Sequence, residues 1–245
     1  MAGGAAVTAS AEAMRMTGML ASVTDASEAE IAVNAGADLI DCKDPRSGAL
    51  GALPVSMINT IRQQVAGRRP ISATVGDLPA TAAALVPAVQ RIAATGVDFV
   101  KLGLFCTDGI DALLDALSPI AAEHRLIAVL FADRSPRLGI VADLAAAGFS
   151  GVMLDTADKA GGRLSNLLST DQLTAFVALA RQHRLLCGLA GSLRLDDIKP
   201  LLALTPDYLG FRGALCAQGR TSELSAQACA RVREAVFASD YRLCG

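Results

Sequence analysis

Aromatic residues are scarce in this chain of 245 residues, which contains no tryptophan, 2 tyrosines and 7 phenylalanines. Few side chains are therefore available to stack on bases. The 22 basic residues are also outnumbered by 24 acidic ones, and both features argue against a nucleic-acid partner. No apolar run approaches the roughly 18–20 residues that cross a membrane, which argues against a membrane partner. The 2 histidines do not cluster with cysteines, and the G-x-x-x-x-G-K-[ST] pattern is absent, so we predict neither a metal nor a nucleotide cofactor.

Residues 1–18 are small and polar, and they lack the compact apolar block of a secretory signal. We expect a flexible N-terminal extension here and a single domain over residues 19–245, because no linker or low-complexity tract divides the chain. The 6 cysteines form no C-x-x-C pair, which favours reduced, buried thiols and a cytoplasmic location.

Short apolar runs alternate with alanine- and leucine-rich helical stretches along the chain. Strands that alternate with helices pair in parallel, since each parallel connection needs a crossover. Eight such units predict an α/β fold, a single (β/α)8 TIM-type barrel, with an open doubly wound sheet as the alternative. The predicted strands are Met19–Val23, Ala37–Lys43, Pro70–Val75, Val97–Leu102, Leu126–Phe131, Gly151–Asp155, Leu186–Ala190 and Asp207–Phe211. The predicted helices lie near Ser27–Ala35, Val55–Val65, Thr81–Thr95, Ile110–Ala121, Pro136–Ala147, Asp171–His183, Leu195–Leu204 and Ser222–Ala238.

A weak internal repeat supports the barrel. The segments AGADLIDCK, TGVDFVKLG, AGFSGVMLD and TPDYLGFRG each place a turn residue before an apolar strand. The turn positions Gly36, Gly96, Gly148 and Pro206 are 60, 52 and 58 residues apart. Two β–α units fit each interval, which predicts a closed barrel of four quarters.

Lysine is rare, with 4 among the 22 basic residues, and three of the four end or follow predicted strands. These three are Lys43, Lys101 and Lys159. Active sites of TIM-type barrels lie at the carboxyl ends of the strands, so the three amines are expected to meet at the barrel mouth. Asp41 shares a strand face with Lys43, and Asp155 ends another strand, whereas Lys199 is expected at the surface.

A lysine amine, unlike a guanidinium, can lose its proton when it is desolvated or placed beside another cation, and it can then attack a carbonyl carbon. Asp41 and Asp155 could keep one amine charged or relay protons. In the alternative interpretation, the lysines extend to solvent or only form ion pairs with these aspartates. Three such lysines in a chain that otherwise uses arginine favour the chemical interpretation.

Glycine-rich loops, GLAGS and GFRGA, follow the last two predicted strands. In TIM-type barrels the loops at these positions often bind phosphate through backbone N–H groups. We therefore predict a phosphate site formed by Gly191, Ser192, Arg212 and Gly213. Ordinary turn glycines and a structural ion pair of the arginine are the alternatives.

Two other features have open interpretations. The loop KDPRSGALGA, with Arg46, Ser47 and Gly48, could bind a second anion, close as a lid, or be an ordinary loop. The carboxylates of Asp77 and Asp133, with those at the strand ends, could hold Mg²⁺ against a substrate phosphate. We rank the metal below amine chemistry, because lysines at the same mouth would already neutralise the anion.

Six segments, taken in order, are similar to one known family. ADLIDCKDPRSGALGA, ISATVGD, DFVKLGL, GVMLDTADKAG, CGLAGS and GFRGALC resemble the (5-formylfuran-3-yl)methyl phosphate synthases, which act early in methanofuran biosynthesis. The resemblance runs from about Leu20 to Cys216. It implies a (β/α)8 barrel that condenses two molecules of glyceraldehyde 3-phosphate, a phosphorylated triose, with loss of phosphate and water.

The resemblance also implies roles for individual residues. Lys43 would form a Schiff base, Lys101 would transfer protons, and Asp41, Asp155 and Lys159 would assist at the mouth. It implies a homo-oligomer, and no organic cofactor is needed because the lysine itself serves as the electron sink. We therefore expect a Schiff-base lyase. The alternatives are an aldolase or isomerase of phosphorylated sugars, and a non-catalytic phosphosugar-binding barrel that would need the glycine loops but not the lysines.

Overall fold

The computed structural model describes residues 16–107, 109–158 and 161–243. The strands are β1 (Gly18–Val23), β2 (Leu39–Cys42), β3 (Ile71–Thr74), β4 (Phe99–Leu104), β5 (Leu126–Phe131), β6 (Gly151–Asp155), β7 (Leu186–Leu189) and β8 (Tyr208–Phe211). The helices are α1 (Ala26–Asn34), α2 (Val55–Val65), α3 (Ala82–Ala93), α4 (Asp111–Glu123), α5 (Ile140–Ala146), α6 (Leu164–Leu167), α7 (Thr170–Gln182), α8 (Leu195–Leu202) and α9 (Ala226–Leu243).

Each strand pairs in parallel with the next, and β8 pairs with β1, so the sheet closes into a barrel. The predicted (β/α)8 TIM-type fold is confirmed, and the open doubly wound sheet is excluded. The barrel begins at the edge of the predicted extension, since Gly18 already belongs to β1 and residues 1–15 lie outside the described residues. Over the described ranges, no helix combines the length and apolar content needed to cross a bilayer.

Local sequence signals place the helices around this sheet. The side chains of Asp25 and Ser169 accept backbone hydrogen bonds in the first turns of α1 and α7, which satisfies N–H groups that have no partner within the helix. On α2 the buried residues are Ile58, Ile61 and Val65. Their spacing of three and four residues creates one apolar stripe, which packs against the strands.

Hydrogen bonds from equivalent positions explain the weak internal repeat of the sequence. Asp38, Asp98 and Asp207 precede β2, β4 and β8, and each carboxylate accepts a bond of 2.8 Å from a backbone N–H of the preceding strand. Ser150 occupies the corresponding position before β6, where its own backbone N–H donates to Leu126. These contacts fix the register of alternate strands at the amino end of the barrel, opposite the mouth.

Two element boundaries differ from the prediction in ways that affect the site. β4 continues to Leu104, because residues 102–104 extend the ladder with residues 128–130 of β5. The prediction that Lys101 ends its strand is therefore wrong, and this lysine lies inside the barrel. The last helix begins at Ala226 instead of Ser222, because the preceding residues form a separate turn over the mouth.

Two apolar layers make up the core. The larger layer lies between the sheet and the helices and includes Cys42, whose outward orientation agrees with the prediction. The smaller layer fills the barrel interior and includes Phe131 and Tyr208. Leu50, from the loop after β2, is fully buried in this inner layer, so that loop closes part of the barrel interior.

Replacing Gly188 with alanine should destabilise the barrel, because the ring of Tyr208 lies against this glycine. A Cβ at position 188 would be 2.3 Å from Cε2 of Tyr208, a side chain that is 7% exposed. We expect the free energy of unfolding to fall by about 1–3 kcal/mol, the usual cost of overpacking. Gly139→Ala is the control, since its added Cβ has no neighbour within 4 Å. Equal denaturation midpoints for the two variants would contradict the prediction.

Candidate active site

A buried ion pair joins β2 to β4 inside the barrel. Nζ of Lys101 is 3.1 Å from Oδ1 of Asp41, and the two residues are 1% and 0% exposed. Ser72 donates to the same carboxylate oxygen at 2.6 Å, and Ser22 donates to the other oxygen at 3.0 Å. The aspartate is therefore fixed by three donors from three different strands.

Burial and charge act in opposite directions on this pair. Burial would raise the pKa of Asp41, but the charges of Lys101 and Lys43 and the hydrogen bonds from Ser72 and Lys101 outweigh it, so its pKa is lowered. Burial lowers the pKa of Lys101, and the positive charge of Lys43 lowers it further, against the opposing effect of Asp41. Asp41 therefore remains ionised, while Lys101 is shifted toward release of its proton.

Lys43 follows β2 directly and faces the open end of the barrel. Its Nζ is 3.8 Å from Oδ2 of Asp155, the last residue of β6, and the lysine is 6% exposed. The backbone N–H of Thr156 donates to Oδ1 of the same carboxylate at 2.8 Å. Asp155 is thus oriented at the end of its strand, within reach of the lysine amine.

A cavity of about 390 Å³ opens at the carboxyl ends of the strands, and we call it the mouth cavity. Its walls include Asp41, Lys43, Asp155 and the loops after β7 and β8. The volume lies within the range of about 300–1,000 Å³ typical of small-molecule sites. Lys101 is not among the described residues that line the cavity. Its amine contacts Asp41, which does line it.

The glycine loops lie where the sequence predicts them. Gly191, Ser192 and Gly213 line the mouth cavity, so they share it with Lys43. Gly191 has a φ of +112°, and a Cβ there would be 2.9 Å from a methyl carbon of Thr156, so the position requires glycine. Backbone N–H groups in such turns can approach an anion closely.

Arg212 also lines the cavity, but its guanidinium is used differently from the prediction. It makes two hydrogen bonds to Glu28 and one each to the carbonyl oxygens of Ser22, Arg220 and Ser222. All five N–H donors are therefore engaged within the protein. The guanidinium thus forms the structural ion pair of the alternative interpretation, and the predicted contact of its side chain with phosphate stays a prediction.

Two other strand-end aspartates hold loops. Asp77 accepts hydrogen bonds of 2.7 Å from the backbone N–H groups of Ala49 and Leu50. Asp133 accepts bonds of 2.8 Å from those of residues 157 and 158. The loop after β2 is therefore a fixed wall of the barrel. Lys159, predicted to act at the mouth, lies outside the described residues, directly after the segment that Asp133 holds.

Those contacts also bear on the magnesium interpretation. The carboxylates of Asp77 and Asp133 accept hydrogen bonds from backbone N–H groups, so they fix loops in place. Within residues 16–107, 109–158 and 161–243, no group of three or more His, Cys, Asp or Glu side chains is arranged to hold a metal ion.

Sequence reasoning missed three residues of the site: Ser22, Ser72 and Arg220. The two serines occupy inward positions of otherwise apolar strands, MLASV and ISATV, and a polar residue there was the available signal. Arg220 lines the mouth cavity from the long loop after β8. Nothing in the local sequence distinguishes it from other surface arginines, because its position depends on how that loop folds.

Comparison with known proteins agrees with this geometry. The family model for 4-HFC-P synthase matches residues 19–233. A provisionally named (5-formylfuran-3-yl)methyl phosphate synthase from Methylorubrum extorquens is 49% identical over 221 residues, 90% of each chain. The (5-formylfuran-3-yl)methyl phosphate synthase from Methanopyrus kandleri is 37% identical over 214 residues, which cover 82% of this chain and 90% of the relative.

Solved structures support the fold. 3-Hexulose-6-phosphate synthase from Salmonella typhimurium superposes with a TM-score of 0.68 at 14% identity, over 91% of this chain and 100% of the other. Phosphoribosyl anthranilate isomerase from Thermus thermophilus gives a TM-score of 0.63 at 15% identity, over 92% and 99%. At these identities the likeness concerns architecture alone, whereas the family match spans most of the sequence. The chain is therefore an enzyme that belongs to the 4-HFC-P synthase family, the (5-formylfuran-3-yl)methyl phosphate synthases.

Proposed function

We propose that this enzyme is a lyase that condenses two molecules of glyceraldehyde 3-phosphate into (5-formylfuran-3-yl)methyl phosphate, with loss of phosphate and water, in methanofuran biosynthesis. The proposal rests on the placement of Lys43. Its amine lines the mouth cavity 3.8 Å from Asp155, whereas the second lysine is ion-paired behind the cavity wall. One amine is thus accessible to a carbonyl substrate, and the other is available to support proton transfer.

The covalent step begins with the ammonium group of Lys43, which passes a proton to Asp155. The neutral amine adds to the aldehyde carbon of the first triose phosphate, and loss of water gives an imine. The imine withdraws electrons from the adjacent carbon, so the C–H bond there becomes acidic. The proton held by Asp155 goes to the hydroxyl oxygen that leaves as water when the protonated imine forms, and Asp155 is a carboxylate again.

Asp41 is the base that the cavity offers for this C–H bond. Its carboxylate lines the cavity and is hydrogen-bonded to Lys101, whose pKa is lowered by burial. When Asp41 takes up a proton, the adjacent Lys101 amine can release one, so the net charge of the buried pair stays the same. The resulting enamine attacks the aldehyde of the second triose. Elimination of phosphate and dehydration then form the aromatic ring, which makes the sequence irreversible, and hydrolysis frees Lys43.

The first substrate's phosphate is assigned to the backbone N–H groups of Gly191, Ser192 and Gly213. These three residues share the cavity with Lys43, and glycine at two of the positions lets the chain approach an anion. Arg212 supports this site indirectly, since its buried pair with Glu28 holds the loop that carries Gly213.

The test is to trap the imine and identify the product. Borohydride added with glyceraldehyde 3-phosphate should leave a stable adduct, and peptide mass mapping should place it on Lys43. Without borohydride, the reaction should develop the ultraviolet absorption of a furan aldehyde. Reversible formation of sugar phosphates would instead indicate an aldolase or isomerase. Binding of the triose without an adduct or turnover would indicate a phosphosugar-binding barrel, and either result would overturn the proposal.

A further inference from the structure

The loop after β8 forms a strap across the mouth cavity, which we define as residues 216–224. Cys216 and Leu224 form an isolated antiparallel bridge at its base. The chain reverses at Gly219, whose φ is +80°, and the backbone N–H of Ser222 donates to its carbonyl oxygen at 3.1 Å. Arg220 therefore lies at the tip of the strap.

The side chain of Arg212, which is ion-paired with Glu28, donates hydrogen bonds to the backbone of the strap. Nε of Arg212 donates to the carbonyl oxygen of Arg220 at 2.8 Å, and Nη2 donates to that of Ser222 at 2.7 Å. Arg212 itself is paired with Glu28, and both side chains are at least nine-tenths buried. The position of the strap is thus fixed by a buried ion pair that does not depend on the side chain of Arg220.

The side chain of Arg220 has a different environment. It is half-buried and lines the mouth cavity, and its Nη2 donates to the carbonyl oxygen of Gly48 at 3.1 Å. Over the described part of the chain, no carboxylate is within 4.0 Å of its guanidinium, and this is the single hydrogen bond that the side chain makes. Four of the five N–H donors of Arg220 therefore have no acceptor among the described residues.

Desolvation of an unpaired cation is unfavourable, and the pKa of Arg220 shows this effect. Burial lowers its pKa below the ordinary value, and the charge of Arg212 adds to the effect, while Asp155, Asp77 and Asp44 oppose it from a distance. A guanidinium still keeps its proton at neutral pH. A half-buried cation with open donors in a cavity is a site for an oxyanion, and a phosphate offers the geometry that its planar fork matches.

The proposed reaction needs two anion sites, because both substrates carry a phosphoryl group. The backbone of the glycine loops provides one of them. We propose that Arg220 binds the phosphoryl group of the second triose phosphate at the part of the mouth cavity where its guanidinium approaches Gly48, and this inference rests on the proposed function. Arg220 is then a binding residue for the second substrate, with no part in imine formation on Lys43.

The experiment compares Arg220→Gln with Arg220→Lys, and uses Arg91→Gln, an exposed arginine on α3, as the matched control. Borohydride trapping of glyceraldehyde 3-phosphate on Lys43 should be unchanged in all three variants. Furan formation at subsaturating substrate should fall roughly 10- to 100-fold in Arg220→Gln, the usual effect of losing a charged hydrogen-bonding partner. Arg220→Lys should recover part of this loss, since it keeps the charge.

Inorganic phosphate serves as a second probe. It should inhibit the wild-type enzyme by competing for the site, and this inhibition should weaken in Arg220→Gln but not in Arg91→Gln. Two results would overturn the inference: furan formation in Arg220→Gln equal to that of the control, or a parallel loss of trapping and furan formation. Failure of the proposed function is distinguishable, because the wild-type enzyme would then yield neither the adduct nor the furan.

Discussion

Lys43→Arg is expected to abolish furan formation, with kcat/KM reduced by at least about 10³-fold, the scale seen when a covalent nucleophile is removed. Arginine preserves the positive charge beside Asp155, but its guanidinium does not lose a proton at neutral pH and cannot form an imine. The variant should therefore retain its fold and lose the chemistry. Borohydride with substrate should leave no adduct on the protein.

Lys199→Arg is the matched control, because it makes the same substitution at an exposed position on α8. It should retain wild-type turnover and wild-type trapping. Retained furan formation in Lys43→Arg would refute the nucleophile assignment, and an adduct that moved to Lys101 would show that the buried amine can reach the substrate.

Asp41→Asn is expected to have the largest effect on stability, because it leaves the ammonium group of Lys101 buried without its counter-charge. Removal of one partner from a buried ion pair typically costs about 3–5 kcal/mol. We expect a loss of this size in the free energy of unfolding at neutral pH, measured by denaturant titration. Furan formation should also fall, since Asp41 is the proposed base, by roughly 10²–10⁴-fold.

The pH dependence of this variant has a definite sign. The pKa of Lys101 is already lowered in the folded protein and should fall further without Asp41, whereas the unfolded chain keeps the ordinary lysine value. Between these two values the unfolded state binds more protons, so the stability of the variant should rise with pH. A stability deficit that stays constant or grows with increasing pH would contradict a lowered pKa of Lys101 in the variant.

A double variant separates stability from chemistry. Asp41→Asn combined with Lys101→Met removes the stranded cation, and replacement of a buried ion pair by neutral groups of similar size is often tolerated. The double variant should therefore recover much of the lost stability while remaining inactive. If it is as unstable as the single variant, the cost comes from lost hydrogen bonds of the two serines instead.

Much of the site followed from the sequence because its residues are rare and lie at strand ends. Four lysines in the whole chain made Lys43 and Lys101 conspicuous, and the alternation of side chains on a strand placed Asp41 with Lys43. The roles of these residues stay predictions, but their convergence in one barrel is now established. For Arg212 the motif indicated the location at the mouth cavity, but it did not reveal the ion pair with Glu28.

The sequence by itself determined the eight-fold β/α alternation, the position of the glycine loops and the order of the charged residues along the chain. These are local properties, fixed by apolar periodicity and turn chemistry. Tertiary structure alone decided which charges meet. Glu28 lies 184 residues from Arg212, and their pairing exists only because the last strand closes against the first. Over the described residues, Arg220 reaches the mouth cavity with no carboxylate within 4.0 Å. No local pattern encodes this, because desolvation and pairing depend on distances in space.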